Sequence, residues 1–165
     1  MRFLDTGLRH HVLRYIWQSL AGGAVIFVVL MLLDAVHQTA IIASLGASAF
    51  IVFAAPNSYA AKPRAILGGY AVGTACGILS MLTVQALTSC GTEWTIWRAV
   101  AGAAAVAVSL FVMTVTDTEH PPASGLALAF LLNPWDMATV AVVMGAAGIL
   151  TLAGRLLKRW LLDLV

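Results

Sequence analysis

Four long stretches of this chain carry no Lys, Arg, Asp or Glu, and they constrain the fold more than any motif does. They run from Tyr15 to Leu33, Ala65 to Leu87, Ala99 to Thr116 and Met137 to Gly154. About 20 predominantly apolar residues in a helix cross the ~30 Å hydrocarbon core of a bilayer. A fifth uncharged stretch and one shorter piece lie between them. Gln38 to Ala61 is broken by Pro56, which predicts a helix over Ile41 to Ala55, and Pro121 to Asn133 precedes Pro134 and Asp136. Only 10% of residues are charged while 61% are hydrophobic, against about 25% charged in an ordinary soluble domain. A soluble fold of this length could not hide that surface. The expected class is all-α, a polytopic transmembrane helix bundle forming one domain over residues 1–165.

The number of passes follows from where the basic residues fall. With six passes and both termini cytoplasmic, Arg2, Arg9, Arg14, Lys62, Arg64, Arg155, Lys158 and Arg159 are all inside and only Arg98, near Glu93, is outside. With five passes, the terminal Arg155-Lys158-Arg159 cluster lands on the wrong face. The positive-inside bias selects six. Asp34, His37, Glu93 and Asp136 then belong to the outer face, and the setting is a bacterial inner membrane. The first span is longer than a signal-peptide core and has no A-x-A site after it, so it reads as an uncleaved anchor.

Several function classes fall away. The net charge is +2 with no basic stripe, which argues against nucleic acid as a partner. Cys76 and Cys90 have no second metal-type ligand nearby, so no disulfide or zinc framework is expected. There is no Walker A motif. No cofactor, no metal and no catalytic residue is expected.

Thirteen residues of helix, Pro121 to Asn133, cover only about 20 Å. Thr116 to His120 must therefore continue the crossing as non-helical chain, or sit in a funnel open to the cytoplasm. Ala47-Ser48-Ala49 opens one short run and Ala123-Ser124-Gly125 the other, each flanked by full-length helices. Long–short–long occurs twice, the pattern of a 3+3 inverted repeat with short broken helices 2 and 5. Pro121-Pro122 suits the first helical positions, leaving N–H groups of Ala123, Ser124 and Gly125 for an anion. The same reading applies to Gly46-Ala47-Ser48 if that helix starts late. The alternative is that these small residues only pack helices.

His120 is an ionisable group inside a membrane segment, a functional candidate by default. The alternative is an interfacial histidine bonded to Asp117 or Glu119. Arg64 can attract an anion at the inner mouth or act only as a topology determinant. Gly69, Gly73 and Gly77 form a small-residue ridge, read as packing within the bundle. Trp94, Trp97, Trp135 and Trp160 fit an interfacial belt. A short chain with glycine-rich faces favours a homo-oligomer.

Three ordered blocks carry a family resemblance. His120-Pro121-Pro122-Ala123 with Ser124-Gly125, Ser44-Leu45-Gly46-Ala47-Ser48, and Pro56-x-Ser58-x-x-Ala61-x-Pro63-Arg64 followed by Gly68-Gly69 resemble the signature blocks of the HPP family of integral membrane proteins. The resemblance covers roughly Leu32 to Leu157. Ala65 and Tyr70 stand where the family pattern has Asn and His. Members are implicated in nitrite transport in chloroplasts and cyanobacteria. The resemblance thus implies a permease, channel or carrier, for a small monovalent anion such as nitrite, with its site among these blocks. A structural or sensory membrane subunit and an intramembrane enzyme are the other classes.

Overall fold

The computed structural model describes residues 8–33, 39–88 and 94–165. The expectations for Asp34, His37, Cys90 and Glu93 lie outside the described residues. Among the described residues six helices form, α1 Leu8–Leu33, α2 Thr39–Ala54, α3 Pro63–Thr88, α4 Trp94–Thr116, α5 Pro121–Leu132 and α6 Met137–Leu157. A 3₁₀ turn, Tyr59–Ala61, sits between α2 and α3. Stretches of α1, α3, α4 and α6 are long and apolar enough to cross a membrane. The 16 residues of α2 and the 12 of α5 reach only ~24 Å and ~18 Å. This is the expected helical membrane bundle, with its second and fifth helices short.

Local chemistry fixes the boundaries. Pro56 follows the end of α2, and Pro63 opens α3 at a position where its missing N–H costs nothing. Asp136 caps α6, its carboxylate accepting from the Thr139 N–H at 2.7 Å and the Thr139 hydroxyl at 2.8 Å. Those two bonds hold the Asp136 carboxyl below the usual carboxylate range. α4 ends in a Schellman turn, with Thr118 N–H donating to Met113 O at 2.9 Å and Asp117 N–H to Thr114 O at 3.4 Å. Asp117 supplies the left-handed residue of that turn, with φ 58°.

Hydrogen bonds gather one end of the bundle. Arg64 donates to Thr116 O at 2.9 Å, Tyr59 to Asp117 O at 2.8 Å, and His120 Nδ1 to Ala60 O at 2.8 Å. Gln18, fully buried near the start of α1, donates to Phe53 O and Leu162 O and accepts from Leu162 N–H. Leu164 N–H then donates to Ala54 O. The starts of α1, α3 and α5 and the ends of α2, α4 and α6 therefore share one end. Six helices alternate in direction, and α5 does not turn back on itself. At the opposite end, Arg98 of α4 donates to Leu132 O of α5 at 3.3 Å.

The packing has an internal order. The main neighbours are α3–α5, α4–α5, α3–α4, α1–α2, α2–α6, α1–α6, α2–α5 and α3–α6. Exchanging 1 with 4, 2 with 5 and 3 with 6 maps this set onto itself. Three alternating helices per half make the halves opposite in direction, as the long–short–long pattern anticipates. The core lies where the halves meet and takes in Leu45, Ala49 and Val52 of α2 and Leu126, Ala129 and Phe130 of α5. The two shortest helices are the central ones.

Candidate functional site

α2 and α5 run antiparallel, and their contact carries a buried polar cluster. Ser44 and Ser48 lie one turn apart on α2 and so share a face. Ser44 Oγ donates to Pro122 O at 2.8 Å and lies 3.4 Å from Tyr70 Oη. Ser48 Oγ lies 2.7 Å from Tyr70 Oη, 2.7 Å from His120 Nε2 and 3.0 Å from Ser44 O. The Tyr70 and His120 ring centroids are 5.6 Å apart. None of the four is more than 5% exposed.

Donor and acceptor counting gives the cluster a direction. Ala60 O can only accept, so His120 Nδ1 must carry a hydrogen. In a neutral imidazole Nε2 is then an acceptor and takes the single Ser48 hydrogen, while Tyr70 donates to Ser48. When the imidazole is protonated, Nε2 donates to Ser48 and the Ser48 hydrogen turns to Ser44 O. Both protonation states are fully bonded with the heavy atoms in place. Such a cluster can take up and release a proton by rotating one hydroxyl.

Glycines on α3 let the non-helical chain sink to this depth. A Cβ on Gly68 would strike the Thr118 side chain, one on Gly69 would lie 2.7 Å from His120 Cβ, and one on Gly73 would strike the Ala123 carbonyl. Gly69 is six residues into α3, about 9 Å along its axis. Thr118 and His120, both buried with the exposed Glu119 between them, thus continue as non-helical chain, which is tolerated at depth where protein satisfies the backbone. One turn beyond Tyr70 on the same helix, Thr74 Oγ1 is buried and has no hydrogen-bond partner among the described residues.

The cluster unites Ser44, Ser48, His120 and Pro122, taken from blocks far apart in sequence. It does not include the others. Gly46 and Ala47 are exposed on α2, and because Thr39 already belongs to that helix, Gly46-Ala47-Ser48 is mid-helix and not a late start. Nothing in the sequence from Thr39 to Phe53 breaks the helix. Ala123 is buried, and its N–H donates to His120 O at 2.9 Å, so it is not left for an anion. Ser124 Oγ bonds back to Pro121 O at 2.7 Å, and Pro121 is exposed. Arg64 stands at the rim, its guanidinium 3.9 Å from the Asp117 carboxylate with both side chains well exposed. His120 bonds Ser48 and Ala60, not Asp117 or Glu119.

Tyr70 and Thr74 are the residues that sequence reasoning missed. Tyr70 was visible only as a departure from the family pattern. Its signal was a polar aromatic directly after Gly68-Gly69, on a helix face that must approach another backbone.

Six alternating apolar helices, four long ones around two short central ones, define a polytopic helical membrane protein. The family model described as HPP, transmembrane region, matches residues 8–161, and the chain belongs to the HPP family. That match takes in α1, which the motif blocks do not reach. No curated protein and no solved structure matches the chain.

Proposed function

We propose that this protein is a small-anion permease and that nitrite is its substrate. The observation that carries the reading is the hydroxyl–imidazole cluster of Ser44, Ser48, Tyr70 and His120 at the contact of the two short helices. Intramembrane polar groups are expensive and mark pathways, and a site where the short central helices of two inverted halves meet resembles the transporter arrangement. The unpartnered Thr74 hydroxyl adds a donor one turn from Tyr70. Membership of a membrane family with transport-linked members supports the same class. The cluster offers hydroxyl hydrogens and one titratable imidazole, which suits a small monovalent anion. A purified-protein liposome panel of nitrite, nitrate, formate and chloride tests it. Nitrite is expected to move fastest above protein-free liposomes. No flux of any anion would favour a structural or sensory subunit.

The orientation belongs to the same proposal. The end holding Arg14, Lys62, Arg64, Arg155, Lys158 and Arg159 faces the cytoplasm of a bacterial inner membrane, by the positive-inside bias. Reporter fusions after Lys62, Glu93 and the C-terminus should read inside, outside, inside. An outside reading at the C-terminus would overturn it.

A further inference from the structure

The basic end holds a cavity that the permeation reading does not use. It encloses about 270 Å³ and is lined by Pro56, Lys62, Pro63, Thr151, Arg155 and Lys158 among others. Lys62 comes from the loop before α3, and Arg155 and Lys158 lie one turn apart at the end of α6. None of the three has a carboxylate partner among the described residues. The Lys62 ammonium sits 4.4 Å from the centre of the Tyr59 ring, which positions it without neutralising it. α3 starts at the same rim. Its first bond runs from Ile66 N–H to Lys62 O, so the positive end of a 26-residue helix adds to the three cations.

The surroundings are those of a membrane surface. Trp160 is 57% exposed beside Arg159, and Leu152, three residues before Arg155, is also 57% exposed. A further turn down the same face, a Cβ on Gly148 would meet nothing within 4 Å. An uncovered apolar strip thus descends from the cationic cavity into the bilayer. A role in topology needs positive charge at this end of the bundle. It does not need three cations from two separate segments around one cavity.

We propose that this cavity binds the phosphate headgroup of an anionic glycerophospholipid, one of whose acyl chains lies along Leu152 and Gly148. Arginine's fork and lysine's compact charge both suit phosphate oxygens, and basic pockets on the cytoplasmic side of helix bundles hold such headgroups. The inference is independent of anion permeation and holds equally for a protein that transports nothing.

Titration of delipidated protein in detergent with phosphatidylglycerol or phosphatidylcholine, read by native mass spectrometry, tests it. Wild type should retain phosphatidylglycerol preferentially. The triple variant Lys62→Gln/Arg155→Gln/Lys158→Gln should bind it about a hundredfold more weakly, from three lost surface-charge contacts. Arg159→Gln removes the same kind of charge outside the cavity and should keep the preference. Lys158→Gln alone, at the last turn of α6, covers the case in which the triple variant fails to fold, and should weaken binding several-fold. Equal retention of the two lipids would overturn the proposal, as would equal losses in Arg159→Gln and Lys158→Gln. Displacement of phosphatidylglycerol by millimolar inorganic phosphate would also overturn it, by making the site one for the free ion.

Discussion

Gly73→Leu is expected to prevent assembly of the bundle, and Gly73→Ala to destabilise it by up to about 2 kcal/mol. The sign is decided by two opposing terms. Alanine in place of glycine favours a helix by ~1 kcal/mol. Overpacking a tight contact costs about 1–3 kcal/mol, and here the obstacle is the Ala123 carbonyl, backbone that cannot rotate away. Gly77 faces the same helix, where a Cβ would lie 2.6 Å from Ala127 O and 2.7 Å from Phe130 Cβ. α5 cannot retreat, because α2 and α4 pack against it as well. The control is the same substitution where space is open. Gly145→Ala on α6 meets nothing within 4 Å and should be neutral or raise the unfolding temperature, by up to ~1 kcal/mol of helix preference. Thermal unfolding in detergent reads both. Shifts of the same sign and size would show that the α3–α5 approach is not close.

Much of this bundle is legible in the sequence because a bilayer imposes simple rules. Uncharged length gives the spans, proline and aspartate give the helix starts, and the distribution of basic residues gives the parity. The expected starts and ends of α5 and α6 lie within three residues of those observed. The ridge of Gly69, Gly73 and Gly77 was read as internal packing, and it packs on α5. The site was less legible, for a physical reason. Which face of α2 meets α5 depends on tertiary packing, since large apolar residues surround the two serines on every side of α2. Gly46, Ala47 and Ser48 were equivalent as small residues, yet only Ser48 points inward. Tyr70 reaches the cluster because Gly69 and Gly73 bring α3 close to the start of α5, a pairing of segments about fifty residues apart. No local periodicity records it.

Nitrite flux through wild-type protein is expected to rise as the medium is acidified. Nitrous acid crosses lipid unaided, so protein-free liposomes must be subtracted at every pH. The expected rise comes from His120. Protonation leaves Nδ1 donating to Ala60 O and lets Nε2 donate to Ser48, whose hydrogen turns to Ser44 O at 3.0 Å. A full positive charge then appears among hydroxyls at the contact of the short helices, where screening by water is weak. Losing a hydrogen-bonded charge of this kind costs about 1.5–3 kcal/mol, or roughly 10- to 100-fold in acid-side flux. His120→Ala should lose that much and flatten the pH profile. It also strips Ala60 O and Ser48 of a partner, so a folding defect could imitate the result. His120→Gln separates the two effects, because an amide can still donate to Ala60 O but cannot take a proton. It should keep the wild-type unfolding temperature more nearly than alanine does, and still show flat flux. Ser48→Ala should lower flux while keeping the pH slope, since the imidazole still titrates. A His120→Gln protein with the wild-type slope would remove the histidine from the mechanism and leave the hydroxyls to carry the site.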